Sequence, residues 1–239
     1  SFNVTKSLIY SGTKKILLEK PGALNFKQIQ ELNLIANKKK TKIYLAYNRR
    51  FFQSVIKIKK IIDKDGGLTS INFEFTEMSN LIKNLNTGKD VKKHWLIANS
   101  SHVIDLAFYL SGKPKIWKYW SQGRLDWHPS SSTFSGSGIT EKGVIFSYFA
   151  DWQAPGRWGL ELMTKKNRLI LRPMEKLQMI NFKSKDLKFV KLNDNLDKKF
   201  KPGLFLQTKN FLEGKLSHFC KLSEQVRNIE IFSKIAGYK

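Results

Sequence analysis

The chain has 239 residues, 41% of them hydrophobic, with 17 Phe, 7 Tyr and 6 Trp; this is too apolar for a disordered chain and enough to bury a proper core. A single cysteine, Cys220, excludes an internal disulfide and a cysteine-based zinc site, and no apolar run approaches the roughly 20 residues of a membrane span. Charge is lopsided at 43 basic against 19 acidic residues, net +24, but all except seven of the bases are Lys, whereas phosphate and base recognition favour the bidentate guanidinium of Arg, so the excess reads as solvated lysine with a general attraction for anions, and specific nucleic-acid binding is not expected.

In chain order, residues 1–47 read as helix, strand, helix, strand. The apolar run Ile16-Leu17-Leu18 stops on Glu19, Lys20 and Pro21. A continuous apolar run marks a strand buried on both faces, as in a parallel sheet, and Pro21 has no N–H to continue the ladder. Lys20 is thereby placed at the carboxyl edge of a strand, where open α/β sheets hold their ligands. Asn25 caps a helix carrying Phe26, Ile29, Leu32, Ile35 and Ala36. Ile43–Tyr47 forms the next strand and runs into Asn48-Arg49-Arg50-Phe51. Ser54 is expected to cap a helix with Val55, Ile58, Ile61 and Ile62 on one face, stopped by Asp65-Gly66-Gly67. Alternation then begins, with Ile71, Phe73 and Phe75 on one side and Asn72 and Glu74 on the other. Residues 81–93 read as a polar loop over the site, and residues 100–107 open a helix. From Ile116 the pattern is mostly sheet, with strands at 116–122, 144–152, 158–164, 168–171, 177–182 and 187–192. Ser135-Gly136-Ser137-Gly138 is expected as a hairpin loop between strands. Connections this short require antiparallel pairing. Helices at 204–213 and 223–235 close the chain, with Cys220 a buried small hydrophobe in the C-terminal helix.

Several residues could carry chemistry. His102 lies just inside a helix that Asn99, Ser100 or Ser101 can cap. At a helix N-terminus the dipole disfavours imidazolium and keeps the ring neutral, able to accept a proton. Asp105, three residues on, shares that face and is expected to orient the ring. Such a base suits removal of a hydroxyl proton. Arg49 and Arg50 end a strand at its carboxyl edge, where they read equally as anion ligands or as salt-bridging surface arginines. Arg157, in the turn Asp151–Trp158, has the aromatic and polar company that holds sugar rings and phosphates. Trp95 borders the same region through its proximity to His102, and Asn99 can bind a substrate hydroxyl. No metal site is expected.

Taken in order, Glu19-Lys20-Pro21 at a strand end, a helix, a strand running into Tyr47-Asn48-Arg49-Arg50-Phe51, and His102 followed three residues later by Asp105 resemble the Gfo/Idh/MocA family of NAD(P)-dependent oxidoreductases. The resemblance runs from Lys14 to the C-terminal helix. It implies an α/β fold: the C-terminal remnant of a Rossmann-type parallel sheet in residues 1–48, then a substrate-binding and oligomerisation domain in residues 49–239 with a large, mostly antiparallel open-faced sheet. It implies catalytic Lys20, His102 and Asp105; cofactor contacts from Glu19, Lys20 and Pro21; and substrate contacts from Tyr47, Arg49, Trp95, Asn99 and Arg157. Lys20 would meet both the nicotinamide ribose and the substrate, its ammonium stabilising developing alkoxide. The implied cofactor is NAD or NADP and the implied substrate a sugar, nucleotide sugar or polyol, in a cytoplasmic homo-oligomer associated through the C-terminal sheet.

Two departures qualify the resemblance. Family members often carry an acidic residue four positions before this histidine, where this sequence has Ala98, so the chemistry would lean on Lys20 and His102. The sequence also contains no Gly-x-Gly-x-x-Gly turn to cradle a pyrophosphate; with βαβ units of roughly 30 residues, on the order of 70–80 residues of a family member would be missing ahead of this chain, which reads as truncated. The competing readings are a non-catalytic polyanion-binding or scaffold protein and an inactive remnant.

Overall fold

The first part of the chain folds as α1 (Phe2–Tyr10), β1 (Lys15–Leu18), α2 (Phe26–Lys38) and β2 (Lys42–Leu45), the order that the periodicity predicts. This is a computed structural model that describes residues 2–238; Ser1, where the first predicted unit begins, and Lys239 lie outside the described residues. β1 and β2 pair in parallel, Ile16 opposite Ile43 and Leu18 opposite Leu45. Parallel neighbours need a crossover, and α2 supplies it. The Asn25 side chain accepts from the Gln28 N–H at 2.9 Å, starting a helix that buries Ile29, Leu32 and Ala36.

A 3₁₀ turn at Asn48–Phe51 leads into α3 (Gln53–Lys64). Ser54 does not cap this helix. Its hydroxyl donates to the Met174 carbonyl at 2.6 Å, while the free N–H of Gln53 is taken by Asp197 Oδ2 at 2.9 Å. A helix N-terminus accepts any oxygen brought within reach, and here the fold brings one from far along the chain. β3 (Ser70–Glu74) buries Ile71 and Phe73 and turns Asn72 outward. The segment expected as a polar loop instead contains two single helical turns, α4 (Ser79–Lys83) and α5 (Lys89–Lys93), too short for apolar periodicity to reveal. A π-helical turn, Leu96–Ser100, then runs directly into α6 (Ser101–Ser111).

The remaining strands are β4 (Pro114–Gln122), β5 (Thr133–Thr140), β6 (Ile145–Asp151), β7 (Gly159–Met163), β8 (Asn167–Leu171), β9 (Gln178–Asn181) and β10 (Lys188–Phe189); they precede α7 (Asn195–Lys199), α8 (Leu204–Leu212), β11 (Cys220–Lys221) and α9 (Leu222–Ala236). β3 to β10 form one sheet in the order β10-β9-β8-β7-β3-β6-β5-β4, antiparallel except where β3 meets β6. The Ser135–Gly138 stretch is not a hairpin loop but the middle of β5. Its glycines answer a packing need: a Cβ on Gly136 would stand 2.4 Å from the Tyr148 hydroxyl, and one on Gly138 2.3 Å from the Ile116 carbonyl oxygen.

One sheet face carries Phe73, Phe75, Phe134, Phe146 and Tyr148 and packs beneath α6, with Phe108 edge-on to Phe73 at 5.5 Å. The other face is open and leaves Ile116, Trp120, Ile139, Ile145 and Phe149 exposed. Cys220 is buried, but in β11, not in the last helix. β11 pairs antiparallel with β2, Cys220 opposite Leu45, so the end of the chain returns to the first sheet. The main core joins both sheets, and a second, small cluster holds Tyr44, Phe51 and Phe219. Among the described residues no helix is long and apolar enough to cross a membrane.

Candidate active site

The segments that follow β1, β2 and β3 bring Lys20, Arg49 and Glu77 within electrostatic reach of one another. Lys20, just past β1, donates from Nζ to the carbonyl of Ala98 in the π-turn. Burial and the nearby Arg49 cation lower its pKa to about 8, against the opposing pull of Glu19 and Glu77. Glu19 itself is exposed, and the Pro21 carbonyl accepts from Gln225 at 3.0 Å. Arg49, in the 3₁₀ turn after β2, lays its guanidinium 4.9 Å from the centre of the Trp158 ring. His102 lies between these groups, edge-on to Tyr47 at 6.0 Å and 6.3 Å from Trp158.

His102 is not at a helix N-terminus, because the π-turn already continues the helix ahead of it, and no side chain caps α6. Its ring is held neutral for a different reason. Burial comes first, and the cations Lys20, Arg49 and Lys201 add to it, together pushing its pKa well below the ordinary imidazole value. Nδ1 is buried with no hydrogen-bond partner.

Asp105 does not orient His102. It is buried behind the site, accepting from Arg50 Nε at 2.8 Å and Arg50 Nη2 at 2.5 Å, and Arg50 Nη2 also reaches Glu224 at 2.8 Å. A helix residue three places on can as easily face another neighbour, and the guanidinium is the stronger one. Arg50 is therefore neither a surface arginine nor an anion ligand. Asp105, Cys220 and Glu224 bring possible ligand atoms within 4.8 Å of one another, but the Arg50 guanidinium, with Lys113 3.2 Å from Glu224, already balances their charge.

Trp95, Asn99, Arg157 and Trp158 line one cavity of about 310 Å³ together with Glu77, roofed by Leu81, Ile82 and Leu85 from the α4 region. Tyr47 is buried, and its hydroxyl donates away from the site to Gln225 Oε1 at 3.1 Å. It walls the histidine and does not face the cavity. Trp158, which the sequence reading placed only within the aromatic turn, belongs here, and so does Glu77, which that reading did not single out for the site. Glu77 continues a strand in a sequence with no other motif, and only its apolar flank, Phe75 before and Trp95 across the site, accounts for its burial. Burial lifts its carboxyl pKa to about 7, offset in part by hydrogen bonds from Ser100 and Asn99.

No family model and no curated protein sequence matches the chain. Solved structures do. UDP-N-acetylglucosamine 3-dehydrogenase GnnA from Acidithiobacillus ferrooxidans superposes with a TM-score of 0.72 at 13% identity, covering 98% of this chain and 73% of that one. An inositol dehydrogenase homologue from Azotobacter vinelandii, solved with NADH and myo-inositol, gives 0.75 at 12% identity over 98% and 72%. A dehydrogenase, MviM, from Clostridium difficile gives 0.74 at 18% identity over 98% and 74%. These are Gfo/Idh/MocA-type oxidoreductases, and at such identities the likeness is one of fold.

Proposed function

We propose that this chain, which carries the fold of the Gfo/Idh/MocA-type NAD-binding oxidoreductases, serves hydride transfer between a nicotinamide cofactor and a hydroxyl or keto group of a sugar, nucleotide-linked sugar or polyol. The observation that carries this reading is the meeting of Lys20, with its loosened proton, and neutral His102 beside the Trp95–Asn99–Trp158 cavity at the carboxyl edge of β1. The sugar-nucleotide and inositol enzymes among the similar structures support the substrate class. In this reading residues 1–48 face the cofactor and residues 49–239 the substrate.

The residues present fit the nicotinamide end of such a cofactor: Glu19, Lys20 and Pro21 stand at the sheet edge, and the buried Nδ1 of His102 has no partner. When bound, the nicotinamide supplies the hydride acceptor. The chain's own part is to hold the substrate. At pH 7 Lys20 is still mostly protonated, and its ammonium steadies negative charge growing on the reacting oxygen. Asn99 spends its amide N–H on Glu77 at 3.0 Å, leaving its carbonyl oxygen for a substrate hydroxyl. His102 positions the hydroxyl by hydrogen bonding from an uncharged ring.

The 239 residues contain no glycine-rich phosphate turn, so a pyrophosphate lacks its cradle of backbone N–H groups. Fluorescence titration of the chain with NADH and NADPH should therefore show weak, millimolar binding, and a micromolar dissociation constant would refute this.

The exposed sheet face bearing Ile116, Trp120, Ile139, Ile145 and Phe149 is the surface we assign to self-association. Light scattering should give a multiple of the 27.7 kDa chain mass, and Trp120→Glu with Phe149→Glu should return it to a single copy. A parental mass of one chain refutes the assignment.

A further inference from the structure

We infer that Glu77 is the proton carrier of this site, its carboxylate taking the hydroxyl proton of the substrate as the substrate carbon is oxidised. The inference rests on the oxidoreductase reading and adds to it a residue at which the proton arrives.

The turn before His102 offers no carboxylate, since the residue four places ahead is Ala98. The fold brings one in from elsewhere. Glu77 follows β3, is 8% exposed, and borders two adjoining cavities, the one lined by Trp95, Asn99 and Trp158 and a larger one of about 620 Å³ lined by Trp127 and Trp152. Its two oxygens are unequal. Oε1 accepts from Ser100 Oγ at 2.6 Å and Asn99 Nδ2 at 3.0 Å, whereas Oε2 has a 3.4 Å contact with Asn99 Nδ2, and the Trp95 and Trp158 indoles add weaker support to the carboxylate. One oxygen is thus anchored and the other is left able to receive a proton.

The alternatives in the site are poorer acceptors. Lys20 holds its own proton at neutral pH and gives its hydrogen bond to Ala98. His102 is surrounded by Lys20, Arg49 and Lys201, which oppose any added positive charge. Around Glu77 the balance runs the other way, with Lys20 and Arg49 both coupled to it and Arg157 on the same cavity, while Lys83 on the larger one is balanced by Asp126 at 3.8 Å. Burial pushes the carboxyl up and the hydrogen bonds it accepts hold it down, leaving a pKa of about 7, close to the value at which an acid–base group works best in neutral solution.

In the oxidative direction the substrate C–H bond breaks and its electron pair leaves as hydride to C4 of an oxidised nicotinamide. The O–H bond breaks with its proton passing to Glu77 Oε2, and the O–H electron pair becomes the second bond of the carbonyl. The alcohol loses two electrons, the nicotinamide gains them, and Glu77 ends as the carboxylic acid. Reduction runs the same steps backwards, with Glu77 as the acid.

The test uses the full chain in two arms. With glutamate side-chain carboxyls labelled with carbon-13, one resonance should titrate with a midpoint near 7 and vanish in Glu77→Gln; a Glu77 midpoint in the ordinary carboxylate range overturns the inference. This arm needs neither cofactor nor turnover. The second arm measures turnover of myo-inositol and UDP-N-acetylglucosamine with millimolar NAD+ or NADP+. Glu77→Gln should lower kcat by about 10²–10⁴-fold and abolish the acid limb of the pH profile, while Glu77→Asp should recover part of the rate, circular dichroism checking the fold of each. An active parental chain with Glu77→Gln at parental turnover overturns the role of Glu77 alone. A parental chain inert on both substrates with both cofactors overturns the oxidoreductase reading and the proton-carrier role with it.

Discussion

Asp105→Asn should lower stability by about 3 kcal/mol, because removing one partner of a buried ion pair strands the other charge. The side chains of Arg50 and Asp105 are 2% and 1% exposed, and the pair is bidentate. The cost falls at the lower end of the range for broken buried pairs because Glu224 still meets the guanidinium at 2.8 Å. For a chain of this size that amounts to a fall in melting temperature of about 6–12 °C. Replacing both partners, Arg50→Met with Asp105→Leu, should recover much of the loss, since no charge is then left buried. Thermal melting decides the matter. If Asp105 acted by orienting His102, Asp105→Asn would melt like the parent and lose turnover instead.

Lys20→Ala should lower kcat by about 10²–10⁴-fold, the usual effect of removing a group that acts on the reacting proton or its charge. The fold should survive, because Lys20 is only partly buried and its one hydrogen bond goes to a carbonyl at the site's rim. The sign of the pH dependence follows from the charge. An ammonium stabilises alkoxide only while protonated, so parental turnover should fall as pH rises through about 8. Lys20→Arg keeps its charge across this range, and even at a reduced rate it should lose the alkaline limb. His102→Ala should cost less than Lys20→Ala, since the neutral ring positions the hydroxyl without carrying charge. Because Lys20 and His102 would act on the same hydroxyl, the double variant should lose much less than the product of the two single effects. Steady-state rates on sugars and polyols at millimolar cofactor measure all of this, and an unchanged rate for Lys20→Ala would show the lysine to be structural.

Local pattern carried much of the architecture. The apolar run at Ile16–Leu18, the Asn25 cap, the alternation through Ile71 and Phe73 and the stop at Gly66-Gly67 each depend on residues close in sequence, and each forms as the pattern predicts. The same is true of Lys20, which a proline holds at the end of a strand. A sheet edge is a local event, so a residue fixed there can be read from the chain.

Only tertiary structure decided the rest. Asp105 lies three residues from His102, yet its partner Arg50 comes from 55 positions away; spacing shows which side chains can share a helix face and says nothing of what another element brings against that face. The Ser135–Gly138 stretch has the composition of a turn, but glycine also appears where a neighbouring strand leaves no room for a Cβ, and only the packed sheet separates the two causes. Helix caps behave likewise, Gln53 taking its oxygen from Asp197 and not from the serine beside it. Glu77 is the clearest case. Nothing in its neighbourhood of sequence sets it apart from the chain's other carboxylates, because an altered pKa comes from burial, and burial is a property of the assembled core.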